Sequence, residues 1–177
     1  MSDNFRDVMP STFWLVTNYG CNNRCVYCYA RESVGNAEKS DKVMDLEYAK
    51  DVLQEMKDCG AKHCLLIGGE PTLYPHLLEI IEFGTKIGLS MKIVSNGTRM
   101  ADKTFVEKLK NAGLVHASIS IEASTQELHD QITSAKSFER MIQGIKNVQE
   151  LGISNNTNLT ISSLNMEEIV PTAKMLA

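Results

Sequence analysis

Cys21, Cys25 and Cys28 lie in the run Cys21-Asn22-Asn23-Arg24-Cys25-Val26-Tyr27-Cys28, separated by three and then two residues. Thiolates this close in one loop can meet on a metal centre with little ordering of the chain between them. An iron–sulfur cluster takes one cysteine thiolate per iron, so a four-iron cube held by three cysteines keeps one iron open for another ligand. A structural zinc would need a fourth ligand from elsewhere, such as a histidine or Cys64. The third alternative is three ordinary buried thiols. The chain has 5 cysteines in all, and an odd number argues against a secreted disulfide framework. Cys59, at a helix end, and Cys64, inside an apolar run, read as packing thiols.

Other polar turns share a position with this loop, each following an apolar run. Gly68-Gly69-Glu70-Pro71 follows His63–Ile67. Two glycines let the backbone approach a ligand closely, and a carboxylate beside them can accept hydrogen bonds from an ammonium group. Ser95-Asn96-Gly97 ends the run Met91–Val94, where ligand binding and plain turn chemistry are equal readings. Ser118 to Ser124 closes the next run, and Ser120 alternates outward from Ile119 and Ile121.

The elements that must hold these turns alternate between strand and helix. Strands are expected at Phe13–Thr17, His63–Ile67, Met91–Val94, Val115–Ile121 and Asn156–Ser162. Helical spacing of apolar residues runs over Asp45–Cys59, Pro75–Gly88, Thr104–Ala112, Phe138–Leu151 and Met166–Leu176. The expected fold class is α/β, a partial barrel of about five parallel βα units in one domain over residues 1–177. In such folds the carboxyl ends of the strands carry the active face, and that is where every unusual turn falls.

Composition narrows the function further. With 43% hydrophobic and 23% charged residues the chain reads as an ordinary globular protein. A net charge of −4 gives no basic field for nucleic acid. No apolar run approaches the ~18 residues of a membrane span. Residues 1–10 show no secretory signal, so a cytoplasmic location is expected.

The C-x3-C-x2-C run with Tyr27 before its third cysteine, followed one βα unit later by Gly68-Gly69-Glu70, resembles the radical SAM superfamily. The resemblance covers Phe13 to Ala177. It implies a [4Fe–4S] cluster on Cys21, Cys25 and Cys28, with S-adenosylmethionine on the open iron. It also implies reductive cleavage to a 5′-deoxyadenosyl radical, which abstracts hydrogen from a substrate. Gly68, Gly69 and Glu70 would hold the methionine amino group, and Ser95, Asn96 and Ser120 would bind the cofactor's ribose and carboxylate. Tyr27 would touch adenine through its backbone or pack beside the cluster. His129-Asp130 and Ser137-Phe138-Glu139-Arg140 resemble the peptide- and cofactor-modifying members, which makes Arg140 the candidate for the carboxylate. A solvated helix position is the other reading of Arg140.

The same resemblance implies a flavodoxin- or ferredoxin-like electron donor and a ribosomal peptide as substrate. Family barrels have six units where this chain shows five, without a cysteine-rich extension. A minimal enzyme, an inactive truncated core, or a core completed by a partner or second copy are the consequent readings. An exposed strand edge favours association. A non-catalytic iron–sulfur or zinc module is the rival from another functional class.

Overall fold

The computed structural model describes residues 11–30 and 42–177. Residues 1–10, read above for a secretory signal, and residues 31–41 lie outside them. Five strands form one sheet in sequence order: β1 (Thr12–Val16), β2 (His63–Ile67), β3 (Ser90–Ser95), β4 (Leu114–Ser120) and β5 (Ser154–Asn158). Every neighbouring pair is parallel, as the strand–helix alternation requires. The helices between them are α1 (Leu46–Asp58), α2 (Leu77–Lys86), α3 (Lys103–Ala112), α4 (Gln126–Thr133), α5 (Phe138–Glu150) and α6 (Ile169–Leu176).

Local chemistry sets the helix ends. The Asp45 carboxylate accepts from the backbone N–H groups of Glu47 at 3.0 Å and Tyr48 at 3.1 Å, starting α1. Gly60, at φ +95°, ends the same unit in the left-handed region. The apolar stripes then decide which face turns inward. Leu53 of α1, Ile80 and Ile81 of α2, Leu109 of α3 and Val148 of α5 are buried in one core with Cys64, Leu66, Met91, Ile93 and Ile119 of the sheet. Full burial of such a side chain contributes about 1.5–3 kcal/mol, so the helical layer holds one face of the sheet firmly. Strand residues alternate. Leu65, Ile67, Lys92, Val94, His116 and Ser118 therefore face the other way, into a cavity.

Two elements differ from the sequence expectation. β5 starts and ends earlier, because its ladder pairs His116 with Ser154 and Ser120 with Asn158. Beyond Asn158 the chain is taken up by Asn165, whose side chain binds the Thr160 carbonyl at 3.0 Å and the Ser162 N–H at 2.7 Å. A strand made of Ser-Asn-Asn-Thr-Asn carries no apolar period to mark its bounds. Helix α4 was not expected at all: it is short, largely polar, and is fixed by what it supports. Among the described residues no helix is long and apolar enough to cross a membrane.

Candidate active site

The cysteine loop leaves β1 and is anchored at three places by backbone atoms. Gly69 N–H donates to the Asn18 carbonyl and Glu70 N–H to the Gly20 carbonyl, both at 2.8 Å. The Asn18 side chain donates to the carbonyls of Gly20 at 2.9 Å and Glu70 at 3.1 Å. On the far side, Arg24 and Val26 N–H groups donate to the carbonyls of Thr133 and Ile132, the last turn of α4, each at 2.9 Å. The terminal carbonyls of a helix need such donors, and this is the task that places α4.

The glycine pair has a steric reason within the protein itself, beside the ligand approach that its sequence suggests. A β-carbon on Gly68 would lie well under 3.0 Å from the Asn18 carbonyl oxygen, and one on Gly69 would crowd the carbonyl oxygens of Tyr19 and Gly20 equally closely. The close approach is therefore to the protein's own chain, the segment that aims the cysteines. The carbonyls of Gly68 and Gly69 take no hydrogen bond among the described residues, and both residues line the cavity.

Glu70 is buried and strongly held. One carboxylate oxygen accepts from Thr72 N–H at 3.0 Å, Thr72 O–H at 2.6 Å and Ser95 O–H at 2.7 Å. The other accepts only from Asn96 N–H at 2.8 Å, which leaves an acceptor position on the cavity side. Burial raises the Glu70 pKa, and the four donors pull against that rise. Ser95 and Asn96 thus both hold Glu70. Asn96 also reaches the cysteine loop, donating to the Asn22 side chain at 2.7 Å. Ser120 lines the cavity with a hydroxyl that has no partner among the described residues.

Tyr27 spans the site: its hydroxyl donates to Glu122, which is buried at the end of β4. Under Glu122 sits His129, whose Nδ1 accepts from the Glu122 N–H at 3.3 Å while Nε2 faces the Ser137 hydroxyl at 3.1 Å. Both are buried and line the cavity. Burial lowers the His129 pKa, with the Asp130 charge opposing, so the ring is neutral. Asp130 is occupied elsewhere, accepting from the N–H groups of Ser137 at 2.9 Å and Phe138 at 3.0 Å to start α5. Arg140 is not brought to the site: it is exposed on α5 and does not line the cavity. The helical turn that exposes it is the one that buries Met141.

Burial raises the Glu122 pKa from its ordinary 4.5, with the hydrogen bonds from Tyr27 and Thr160 opposing. A raised folded-state pKa means that folding favours the protonated acid. Its contribution is complete below about pH 4.5 and is lost as pH rises through the raised value. A Glu122→Gln variant, which keeps the neutral shape, should therefore gain urea stability relative to the native metal-free chain on going from about pH 5 to about pH 8. A difference that stays constant over that range would contradict the assignment.

Cys21, Cys25 and Cys28 are free, half-buried, and line one cavity of about 650 Å³ with Gly68, Gly69 and Glu70. Burial, helped by the Glu70 charge and opposed by the Asn23 N–H, pushes the Cys21 thiol up to about 11. Burial and the Glu122 charge push Cys25 up to about 12. Binding a cationic metal requires cysteine ligands to give up their protons. A single zinc ion requires donors within about 2.3 Å of one point, and no three His, Cys, Asp or Glu side chains among the described residues converge that way. A four-iron cluster spreads its thiolates over separate irons, and three thiols at a roomy cavity mouth fit it. Asn23, also lining the cavity, has a buried Oδ1 without a partner among the described residues.

Sequence reading did not assign Asn18, Glu122 or His129 to the site. Glu122 and His129 lie just past β4 and in α4, and only the β4–α4 turn brings them together. Asn18 had no signal beyond its place between β1 and the cysteines.

Comparison with known proteins gives the family and the fold. The chain is 33% identical over 159 residues to the AdoMet-dependent heme synthase of Methanosarcina barkeri, covering 88% of this chain and 44% of that protein. It is 26% identical over 141 residues to the mycofactocin maturase MftC of Mycobacterium tuberculosis, covering 80% of this chain and 34% of that one. The fold matches Streptococcus suis SuiB bound to S-adenosylmethionine with a TM-score of 0.79 at 18% identity, over 94% of this chain and 38% of SuiB. The chain spans less than half the length of these relatives. The family model described as the radical SAM superfamily matches residues 15–176, and the chain belongs to that superfamily.

Proposed function

We propose that this chain is the core of a radical SAM enzyme in which Cys21, Cys25 and Cys28 hold a [4Fe–4S] cluster with S-adenosylmethionine beside it. The observation that carries the reading is convergence: three free thiols, the open Gly68 and Gly69 carbonyls and the free side of Glu70 line one cavity at the strand ends. When bound, the cluster and cofactor supply reductive cleavage to a 5′-deoxyadenosyl radical that abstracts a substrate hydrogen atom. The chain's residues do the positioning. The Gly68 and Gly69 carbonyls and the outward acceptor of Glu70 receive an ammonium group, Ser120 offers a hydroxyl, and Tyr27 and Glu122 brace the loop across the cavity. The pocket walls limit water at the reacting end.

The substrate we favour is a ribosomal peptide, supported by the likeness to the mycofactocin maturase. The higher identity to a heme synthase favours a second reading, a tetrapyrrole. The reading also places the chain in the reducing cytoplasm, where its thiols stay free, supplied by a flavodoxin- or ferredoxin-like donor. A second copy or partner chain at the sheet edges belongs to the same proposal.

Anaerobic reconstitution with iron and sulfide, then dithionite and S-adenosylmethionine, tests the central point. A four-iron absorbance band and 5′-deoxyadenosine by chromatography are expected. Zinc retained with no cluster formed would overturn the reading in favour of a binding module.

A further inference from the structure

Lys92 is the only lysine or arginine among the described residues lining the cavity. It projects from the middle of β3, half-buried, and makes no salt bridge or hydrogen bond among the described residues. Neither Glu70 nor Glu122 contacts it among the described residues: Glu70 is held by Thr72, Ser95 and Asn96, and Glu122 by Tyr27 and Thr160. Lys92 is thus a cation on the cavity wall that no carboxylate among the described residues meets, which leaves it available to an anion.

The strand register says where that anion sits. Trp14 pairs with Leu65, Leu65 with Lys92, and Lys92 with His116, so these four make one row across the inner face. Trp14 is 67% exposed, although large and apolar, and it lines the cavity. Strands are spaced by about 4.8 Å, which sets the backbones of Trp14 and Lys92 roughly 10 Å apart with Leu65 between them. His116 is already held, with Nε2 2.7 Å from the Asn156 Oδ1 and Nδ1 3.1 Å from the Ser154 hydroxyl, so both ring nitrogens are occupied toward β5. Along β3, Lys92 lies four residues before Asn96, about 13 Å from the cysteine end.

We propose that Lys92 binds a carboxylate of the substrate and Trp14 stacks on its apolar body, so that this enzyme acts on an extended, carboxylate-bearing molecule. This deepens the radical SAM reading and rests on it for the end of the cavity where chemistry occurs. A substrate anchored at Lys92 must reach on the order of 10 Å toward the cysteine loop, which excludes the smallest metabolites and fits a molecule of peptide size or larger. Lys92 is here a specificity residue, outside the cofactor set.

The chain contains one tryptophan, so its emission reports occupancy of this row directly. The reconstituted protein is titrated with 4-(4-nitrophenyl)butanoate and with the matching carboxamide, whose nitroaromatic ring quenches indole. The acid should bind about tenfold more tightly than the amide, the scale of a hydrogen bond to a charged group. Lys92→Met should erase that preference, and Lys92→Arg should keep part of it. Equal binding of acid and amide, a preference that survives in Lys92→Met, or no quenching by either at millimolar concentration would overturn the proposal. Cluster absorbance and S-adenosylmethionine binding are measured on the same samples. Their loss in the native chain would sink the radical SAM reading alone, since the acid preference is read independently.

Discussion

A Cys25→Ala variant is expected to lose the iron–sulfur absorbance and all 5′-deoxyadenosine formation while keeping its fold. The thiol plays no part in anchoring its loop, because the anchoring bonds run from the N–H groups of Arg24 and Val26 to α4. Alanine therefore leaves those bonds intact, and the melting curve should move by no more than about 0.5 kcal/mol. The chemical effect is far larger. Without this thiol one iron has no protein ligand, and the nearby Glu122 carboxylate is occupied by Tyr27. The loss should exceed the roughly 10–100-fold that outer-shell changes cost at metal sites. Iron content, visible absorbance and product by chromatography make the check. A variant that retains near-native 5′-deoxyadenosine production would remove Cys25 from the ligand set.

Gly69→Ala should be the most damaging single methyl group in the site. The atoms it would strike are the carbonyl oxygens of Tyr19 and Gly20, backbone that cannot swing aside as a side chain could. The two peptides that flank its Cα carry the bonds from Gly69 N–H to Asn18 and from Glu70 N–H to Gly20. Relief must come from moving the cysteine loop away from β2, at a cost of about 1–3 kcal/mol for an overpacked site. The urea midpoint should fall by that amount, and iron per chain after reconstitution should fall with it. Gly60→Ala is the contrast. A β-carbon there meets nothing within 4 Å, so its cost is only the positive φ of +95°, about 1–2 kcal/mol, with cluster loading unchanged. Equal iron loading in Gly69→Ala and the native chain would show that the glycine pair does not set the loop.

The sequence by itself determined the family, the fold class and the three thiols, because each of those signals is local. The spacing of Cys21, Cys25 and Cys28 is chain-adjacent, and the strands and helices follow from apolar periods that repeat within ten or so residues. β2 and β3 were legible for that reason, as was Ser120, whose inward direction follows from alternation with Ile119 and Ile121. β5 was placed late because Ser-Asn-Asn-Thr-Asn has no apolar period, and its bounds come from pairing with β4.

Only the tertiary structure decided what the turns do to one another. It gave the Gly68-Gly69 pair a further task, as a seat for the cysteine loop, which no local stretch shows because the contact from Gly69 to Tyr19 spans two elements. It joined Tyr27 to Glu122 and Glu122 to His129 across the ends of three elements, and it sent Arg140 to solvent by the phase of α5. It also put Lys92 and Trp14 in one row, which depends on strand register. Register is set by how the helical layer packs, a sum over the whole core that no local stretch of sequence contains.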